Sequence, residues 1–222
     1  MSRVSRKPLG AQIADVIRNE ILLGKLKPGA QLRQDEICEA FGTSRMPARD
    51  ALKQLTLEGF VGETSSGRSY VASFSGSDLH DIYDIEGALH GLATKHATER
   101  HEPGELDDLR RIHAEMSAID GKDEAALARL PELNYEFHRM VNRMARSSRL
   151  RASLRTLSLN IPRDYIIEIP GYAARANAEH GAILEAMGAG EAGLAGSLMT
   201  RHISDAADDL VAFLASRGVD LG

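Results

Sequence analysis

Gly42 separates two short amphipathic stretches, and this interruption constrains the chain more than any other single feature. Before it, Asp35 to Phe41 carries Ile37, Ala40 and Phe41 at helical spacing. After it, Ser44 is suited to cap a new helix. Pro47 falls in that helix's first turn, where a missing N–H costs nothing. Ala48, Ala51, Leu52 and Leu55 then form a stripe that asks to be buried, and Gly59 stops the run. Upstream, Leu9, Ile13, Val16, Ile17 and Ile21 predict a first helix, ended by Gly24 and Lys27-Pro28-Gly29. Downstream, Phe60-Val61 leads into a strand, Glu63 to Ser69 is polar and contains Gly67, and Tyr70-Val71-Ala72 returns. The pattern predicts a winged helix-turn-helix over residues 1–74.

On the helix after Gly42, Arg45 and Arg49 are four apart and share a face, which Lys53 continues. That face lies away from the buried stripe. A helix-turn-helix lays its second helix in the major groove of DNA, and Arg is the side chain best shaped to grip guanine through two hydrogen bonds. The helix start and the Ser44 hydroxyl suit a phosphate. Gly67 and Arg68, at the wing, are placed for backbone or minor-groove contact. The residues alone also permit an ordinary helical domain with a solvated basic face.

Charge follows the same division. Residues 1–74 hold 11 Lys+Arg against 8 Asp+Glu, net +3, and residues 75–222 are net −8, giving −5 for the 222-residue chain. The acidic total thus hides a mildly basic first third, the side expected to meet a polyanion. The single Cys38 excludes a disulfide framework and a multi-cysteine zinc site, and fits a reducing, cytoplasmic compartment. No apolar run has the length of a membrane span. The charged start does not read as a secretory signal.

Beyond Ser75-Gly76-Ser77-Asp78, a polar joint with good capping residues, no alternating strand pattern occurs. The second domain, 75–222, is expected to be an all-α antiparallel bundle of about six helices, so the fold class is mainly α. Helical stretches are predicted over 78–100, 104–119, 123–146, 148–168, 172–188 and 191–216, with Pro131 and Pro162 marking kinks or late starts. All eight histidines lie here: His80, His90, His96, His101, His113, His138, His180 and His202. His138, His180 and His202 sit in apolar stripes on three separate helices, and Asn134 is one turn before His138. A bundle interior can gather such side chains around one ion. Taken singly, each is more often a hydrogen-bonded core or surface residue than a ligand.

Two sets of motifs now carry a resemblance. Ala40-Phe41-Gly42-Thr43-Ser44-Arg45-Met46-Pro47-Ala48-Arg49-Asp50-Ala51-Leu52, then Leu55-Thr56-Leu57-Glu58-Gly59-Phe60-Val61 and the Gly67 wing, resemble the DNA-binding domain of the GntR family of bacterial transcription regulators. The resemblance implies that Arg45 and Arg49 contact DNA, helped by Thr43, Ser44, Met46, Gly67 and Arg33. Asp35 stands where some members carry a DNA-contacting Arg. The bundle resembles the FCD effector-binding domain of FadR-type members. Asn134…Phe137-His138, Glu179-His180-Gly181-Ala182-Ile183 and Met199-Thr200-Arg201-His202-Ile203 match its three metal-binding motifs in order. This implies a divalent metal held by Asn134, His138, His180 and His202. Imidazole donors suit zinc or nickel. The short bundle resembles the VanR-like branch.

The resemblance further implies a homodimeric repressor on a near-palindromic operator, released or recruited by a small-molecule effector. The family's first bundle helix often carries an Arg for acidic effectors. Here Tyr83-Asp84-Ile85-Glu86-Gly87-Ala88-Leu89-His90 places Glu86 at that position and His90 where Glu is common. Tyr83, Glu86 and His90 are the expected pocket residues. The ligand is then either an organic acid held through the metal or a neutral, hydroxylated or amine-bearing molecule. Two other functions stay open on the residues: a repressor that senses the metal itself, and a metalloenzyme in the bundle. For the enzyme, no general base stands out. His80-Asp81 has the adjacency of an HD-type phosphohydrolase, but no His precedes it.

Overall fold

The computed structural model describes residues 8–73, 75–119, 123–157, 165–219 and 221. The chain gathers into two compact units: residues 1–76 together with 212–222, and residues 77–211. The last eleven residues therefore cluster with the N-terminal unit and not with the bundle.

In the first unit, α1 (Leu9–Leu22), α2 (Gln34–Ala40) and α3 (Arg45–Leu57) precede a hairpin of β1 (Val61–Glu63) and β2 (Ser69–Val71). Burial of the two apolar stripes draws α1 onto α3. Ile13, Ala14, Ile17 and Ile21 are buried on one side, and Ala48, Ala51, Leu52 and Leu55 on the other. Leu9 and Val16, expected in the stripe, are 48% and 42% exposed. The inward face is instead completed by Arg18, which no water reaches. Its guanidinium bonds Glu58 Oε2 from Nε at 2.9 Å and Nη2 at 2.5 Å, and Asp15 from Nη1 at 2.9 Å. A buried guanidinium needs such partners, because stripping its water without replacement costs several kcal/mol, on the order estimated for buried ions. The clamp ties α1 to the residue that ends α3. The strands pair antiparallel with Val61 opposite Val71, and Gln31 adds a bridge to Tyr70. Gly67 closes the hairpin in the left-handed region at φ +74°, and Thr64 braces the turn through its hydroxyl, which accepts from Arg68 N–H at 3.0 Å.

Among its described residues, the second unit has helices and connecting turns but no strand. It comprises α4 (Gly76–Arg100), α5 (Glu105–Ser117), α6 (Glu124–Leu127), α7 (Leu130–Met144), α8 (Ser148–Leu157), α9 (Tyr165–Glu168), α10 (Tyr172–Gly188) and α11 (Ala192–Ser216), of which α4 and α11 run into the first unit. The stretch expected over 123–146 is two helices, because Pro131 sits at the start of α7, where a proline is tolerated. Pro162 lies outside the described residues. Leu109, Met116, Phe137, Val141, Met144, Ile183, Met187 and Met199 are among the buried side chains of the core shared by α5, α7, α10 and α11.

α4 and α11 cross closely through small residues. A Cβ on Gly91 would collide with the Thr200 hydroxyl and stand 2.7 Å from the Gly196 carbonyl oxygen. One on Gly87 would stand 2.8 Å from Ser204 Oγ and 2.9 Å from the Thr200 carbonyl oxygen. Helices this close leave no room for even one methyl. Gly91→Ala is expected to destabilise the chain by about 1–3 kcal/mol through overpacking. Gly193→Ala, with nothing within 4 Å of the new Cβ, is expected to be neutral or stabilising by up to about 1 kcal/mol. Urea unfolding of both variants measures the difference, and equal midpoints would contradict the crossing.

Candidate DNA-reading face and histidine cluster

α3 places Arg45 at its first helical position, because Ser44 is extended, at φ −83° and ψ 169°, and begins the helix. The Ser44 hydroxyl makes no cap hydrogen bond, so the side chain expected to close the helix start points elsewhere. Ser44, Arg45, Met46, Arg49 and Lys53 are all exposed, as are Arg33, Gly67 and Arg68, while Thr43 is half-buried. The basic face is thus brought together on the side of α3 away from Ala48, Leu52 and Leu55. Arg49 reaches Met46 Sδ at 3.7 Å. Arg45 Nη2 lies 3.1 Å from Asp35 Oδ1, and both side chains stay largely exposed. Arg33 faces Gln31 and Glu36 at the other edge of α2.

In the bundle, α7, α10 and α11 bring His138, His180 and His202 together. One ring nitrogen from each lies within 4.8 Å of the others. His180 Nε2 and His202 Nε2 are 3.1 Å apart, and the His138 and His202 rings stack at 5.2 Å. Phe137 stacks on His180 at 4.2 Å and walls the cluster on its apolar side. His90, from α4, adds a fourth imidazole edge-on to His138 at 5.5 Å. Nδ1 of His90, His138 and His180 is buried with no hydrogen-bond partner among the described residues. Asn134 is half-buried one turn before His138 on α7. On α4, Tyr83 and His90 are buried and Glu86 is half-buried, all three sharing a face.

Glu179 stands against the cluster, a position that the sequence pattern does not reveal. Its Oε2 lies 2.6 Å from His202 Nδ1, which holds the His202 ring with Nε2 toward the cluster. Arg175 binds both Glu179 oxygens at 2.8 Å and also pairs with Asp209. Burial opposes ionisation of Glu179, but the bonds from His202 and Arg175 outweigh it and hold its carboxyl below the usual value. The i,i+4 spacing of Arg175 and Glu179 is visible in the sequence; the reach to His202 is a tertiary fact. His80, the other candidate for chemistry, lies 3.7 Å from exposed Asp208 and outside the cluster.

Charge cannot build up in this cluster. Burial, followed by the neighbouring imidazoles, pushes His138 and His180 well below 6.5. Burial and then His202 lower His90 to about 4. His138 and His180 are therefore neutral and ready to coordinate at pH 7. Two nitrogens bound to one zinc-like ion at ~2.1 Å stand roughly 3.0–3.4 Å apart at octahedral to tetrahedral angles, and the His180–His202 spacing matches. Three converging imidazoles and a carboxylate-oriented His202 fit a divalent metal.

Residues 9–71 match the family described as "Bacterial regulatory proteins, gntR family", and residues 81–205 match the "FCD domain" family. The chain belongs to the GntR family and carries an FCD domain. Membership places it among DNA-binding transcription regulators and not among enzymes, which removes the metalloenzyme alternative. An uncharacterized HTH-type transcriptional regulator of Mycobacterium tuberculosis is 30% identical over 155 residues, 68% of this chain and 60% of its own length. The "Probable D-xylose utilization operon transcriptional repressor" of Paenarthrobacter nicotinovorans is 27% identical over 203 residues, covering 91% and 88% of the two chains. McbR/YncC of Escherichia coli shares the fold, with a TM-score of 0.64 at 18% identity over 96% of this chain and 100% of its own. No helix among the described residues is long and apolar enough to cross a membrane.

The imidazoles of His90, His138 and His180 fix a pH dependence. Their pKa values in the folded chain lie below the unfolded value of about 6.5, so between the two the unfolded chain binds more protons. The stability they contribute is intact above about pH 6.5 and is lost as pH falls toward the folded values, about 4 for His90. Chelator-treated protein is expected to show a lower urea midpoint at pH 5 than at pH 7. Each buried imidazole adds up to about 1.4 kcal/mol per pH unit. His138→Gln should flatten the slope, and an unchanged slope would place that ring outside the titrating set.

Proposed function

We propose that this protein is a repressor whose operator affinity is set by a small-molecule effector bound at or beside a metal in the helical bundle. The observation that carries the reading is the convergence of His138, His180 and His202, from three helices, on one buried point. Asn134, one turn before His138, completes the proposed donor set, and zinc or nickel suits it. A bound ion would supply a Lewis-acidic anchor for an oxygen of the effector. The chain's own residues do the rest. Glu179 orients His202, Phe137 keeps one side apolar, and Tyr83, Glu86 and His90 of α4 face the ligand. Glu86, in place of an acid-gripping Arg, favours a neutral hydroxylated effector over a dicarboxylate. A relative named for a D-xylose utilization operon is consistent with that preference.

Control follows from linkage. An effector that binds one arrangement of a homodimer better than another shifts the population of the two, and so changes the spacing of paired α3 helices on near-palindromic half-sites. Arg45 and Arg49 read bases, with Thr43, Ser44, Met46 and Lys53 beside them and Arg33, Gly67 and Arg68 at the edges. The domains divide the work, 1–74 for DNA and 75–222 for effector and dimer.

Arg45→Ala and Arg49→Ala should each cost about 1–3 kcal/mol in operator binding, and wild-type binding should weaken steeply with salt. Fluorescence anisotropy against a selected operator measures both. Wild-type affinity in either variant removes that residue from the reading face. For the bundle, elemental analysis after purification without chelator should find one divalent ion per chain, lost in His180→Ala. Glu179→Gln should weaken metal affinity roughly 10- to 100-fold. Metal-free protein after supplementation would defeat the donor assignment. Operator affinity that follows the metal concentration with no effector added would mean that the ion itself is the cue.

A further inference from the structure

The N-terminal ends of α2 and α3 meet at Arg45. Gln34, which opens α2, donates Nε2 to the Arg45 carbonyl oxygen at 2.5 Å. The next residue, Asp35, sets Oδ1 3.1 Å from Arg45 Nη2. Two successive residues of α2 thus hold one residue of α3, the first through its backbone and the second through its guanidinium. The Asp35 and Arg45 side chains remain 77% and 78% exposed. An ion pair that open to water is heavily screened, so folding gains little from it. Asp35 also puts a negative charge on the face expected to approach phosphates, where it weakens non-specific attraction.

Arg49 offers the contrast. Its guanidinium touches Met46 Sδ and has no carboxylate partner among the described residues. Glu36, the other acid in the first turn of α2, faces Arg33 instead, at 3.7 Å. The carboxylate is therefore specific to Arg45. A guanidinium has five N–H donors in a rigid fork, so one carboxylate leaves donors free for a base edge. It also restrains part of the rotamer freedom that a long side chain otherwise loses on binding.

We propose that Asp35 is a specificity-determining positioning residue: it holds the Arg45 guanidinium in the orientation that reads a base and withholds it from phosphates. The proposal rests on α3 being the recognition helix. If Arg45 swings to a phosphate, it leaves Asp35 unpaired beside the polyanion; if it stays on a base, the pair persists. Arg45 thereby acts as a base reader, and Arg49 keeps the freedom to contact either.

The test is an operator selected in vitro with the full wild-type chain, followed by anisotropy measurements on that operator, its single-base variants and an unrelated duplex. Proteins compared are wild type, Asp35→Ala, Asp35→Asn, Arg45→Ala, Arg49→Ala, and Asp35→Ala combined with each Arg variant. Asp35→Ala is expected to relax discrimination by on the order of tenfold at the base position that Arg45→Ala also relaxes. It should bind the unrelated duplex several-fold more tightly, with a steeper salt dependence. In the Arg45→Ala background the same change should leave discrimination untouched, and in the Arg49→Ala background its effect should persist. Asp35→Asn, similar in shape but uncharged, should behave as Asp35→Ala, with thermal melting confirming that both fold. A uniform rise in affinity for every duplex, with discrimination intact, would overturn the proposal and leave Asp35 a repulsive charge only. An unchanged profile would overturn it too. A wild-type chain that selects no sequence would instead defeat the recognition-helix reading, and the Asp35 proposal with it.

Discussion

Three imidazoles within 4.8 Å of one another in an apolar core cannot all carry protons, and the arrangement of the bundle answers to that constraint. Three helices each contribute one ring, Phe137 excludes water from one side, and a single carboxylate reaches in to fix a tautomer. That carboxylate belongs to a chain of charges, Asp209–Arg175–Glu179–His202, which grades from half-exposed to buried. The fixed charges sit at the edge, where water screens them, and the innermost donors stay neutral. A site built this way is suited to a doubly charged guest, because His138 and His180 arrive without an extra proton to shed.

The N-terminal unit treats its arginines in two opposite ways. Arg18 is sealed beneath Glu58 and Asp15 and serves the packing of α1 on α3. Arg45 and Arg49, on the far side of α3, are held in water. The same helix thus presents one face organised by burial and another by exposure, and its orientation is set by the first. Bracing from α2, through Gln34 and Asp35, extends that order to the exposed face.

Much of this was legible in the sequence for reasons that can be named. Gly42, Gly59 and Gly67 each require or tolerate a turn, and the three N-terminal helices and the hairpin fall between such breaks. Helical spacing put Ala48, Ala51, Leu52 and Leu55 on one stripe, and all are buried. The three motif histidines could be assembled only through resemblance, since periodicity places each ring on a helix face but says nothing of which faces meet. The misses are of the same kind. Val16 and Leu9 fit a helical stripe yet lie outside it, because Arg18, paired with Asp15 of the same helix and Glu58 from beyond α3, occupies the inward face. Glu179 reaches His202 across 23 positions, a distance no local pattern encodes. The Gly87–Gly91 spacing was available as a sign of close helix approach, but its partner, the line Gly196, Thr200 and Ser204, emerges only in three dimensions.

Val219 and Leu221 have a practical meaning. Gly76 N–H donates to the Leu221 carbonyl oxygen at 2.8 Å, and Val219 packs 3.3 Å from where a side chain on Gly24 would begin. The closing residues are thereby stitched to the start of α4 and to the turn after α1. Substitutions that disturb Val219 or Leu221 would be felt first by the fold that carries α3, more than 160 positions earlier in the primary structure.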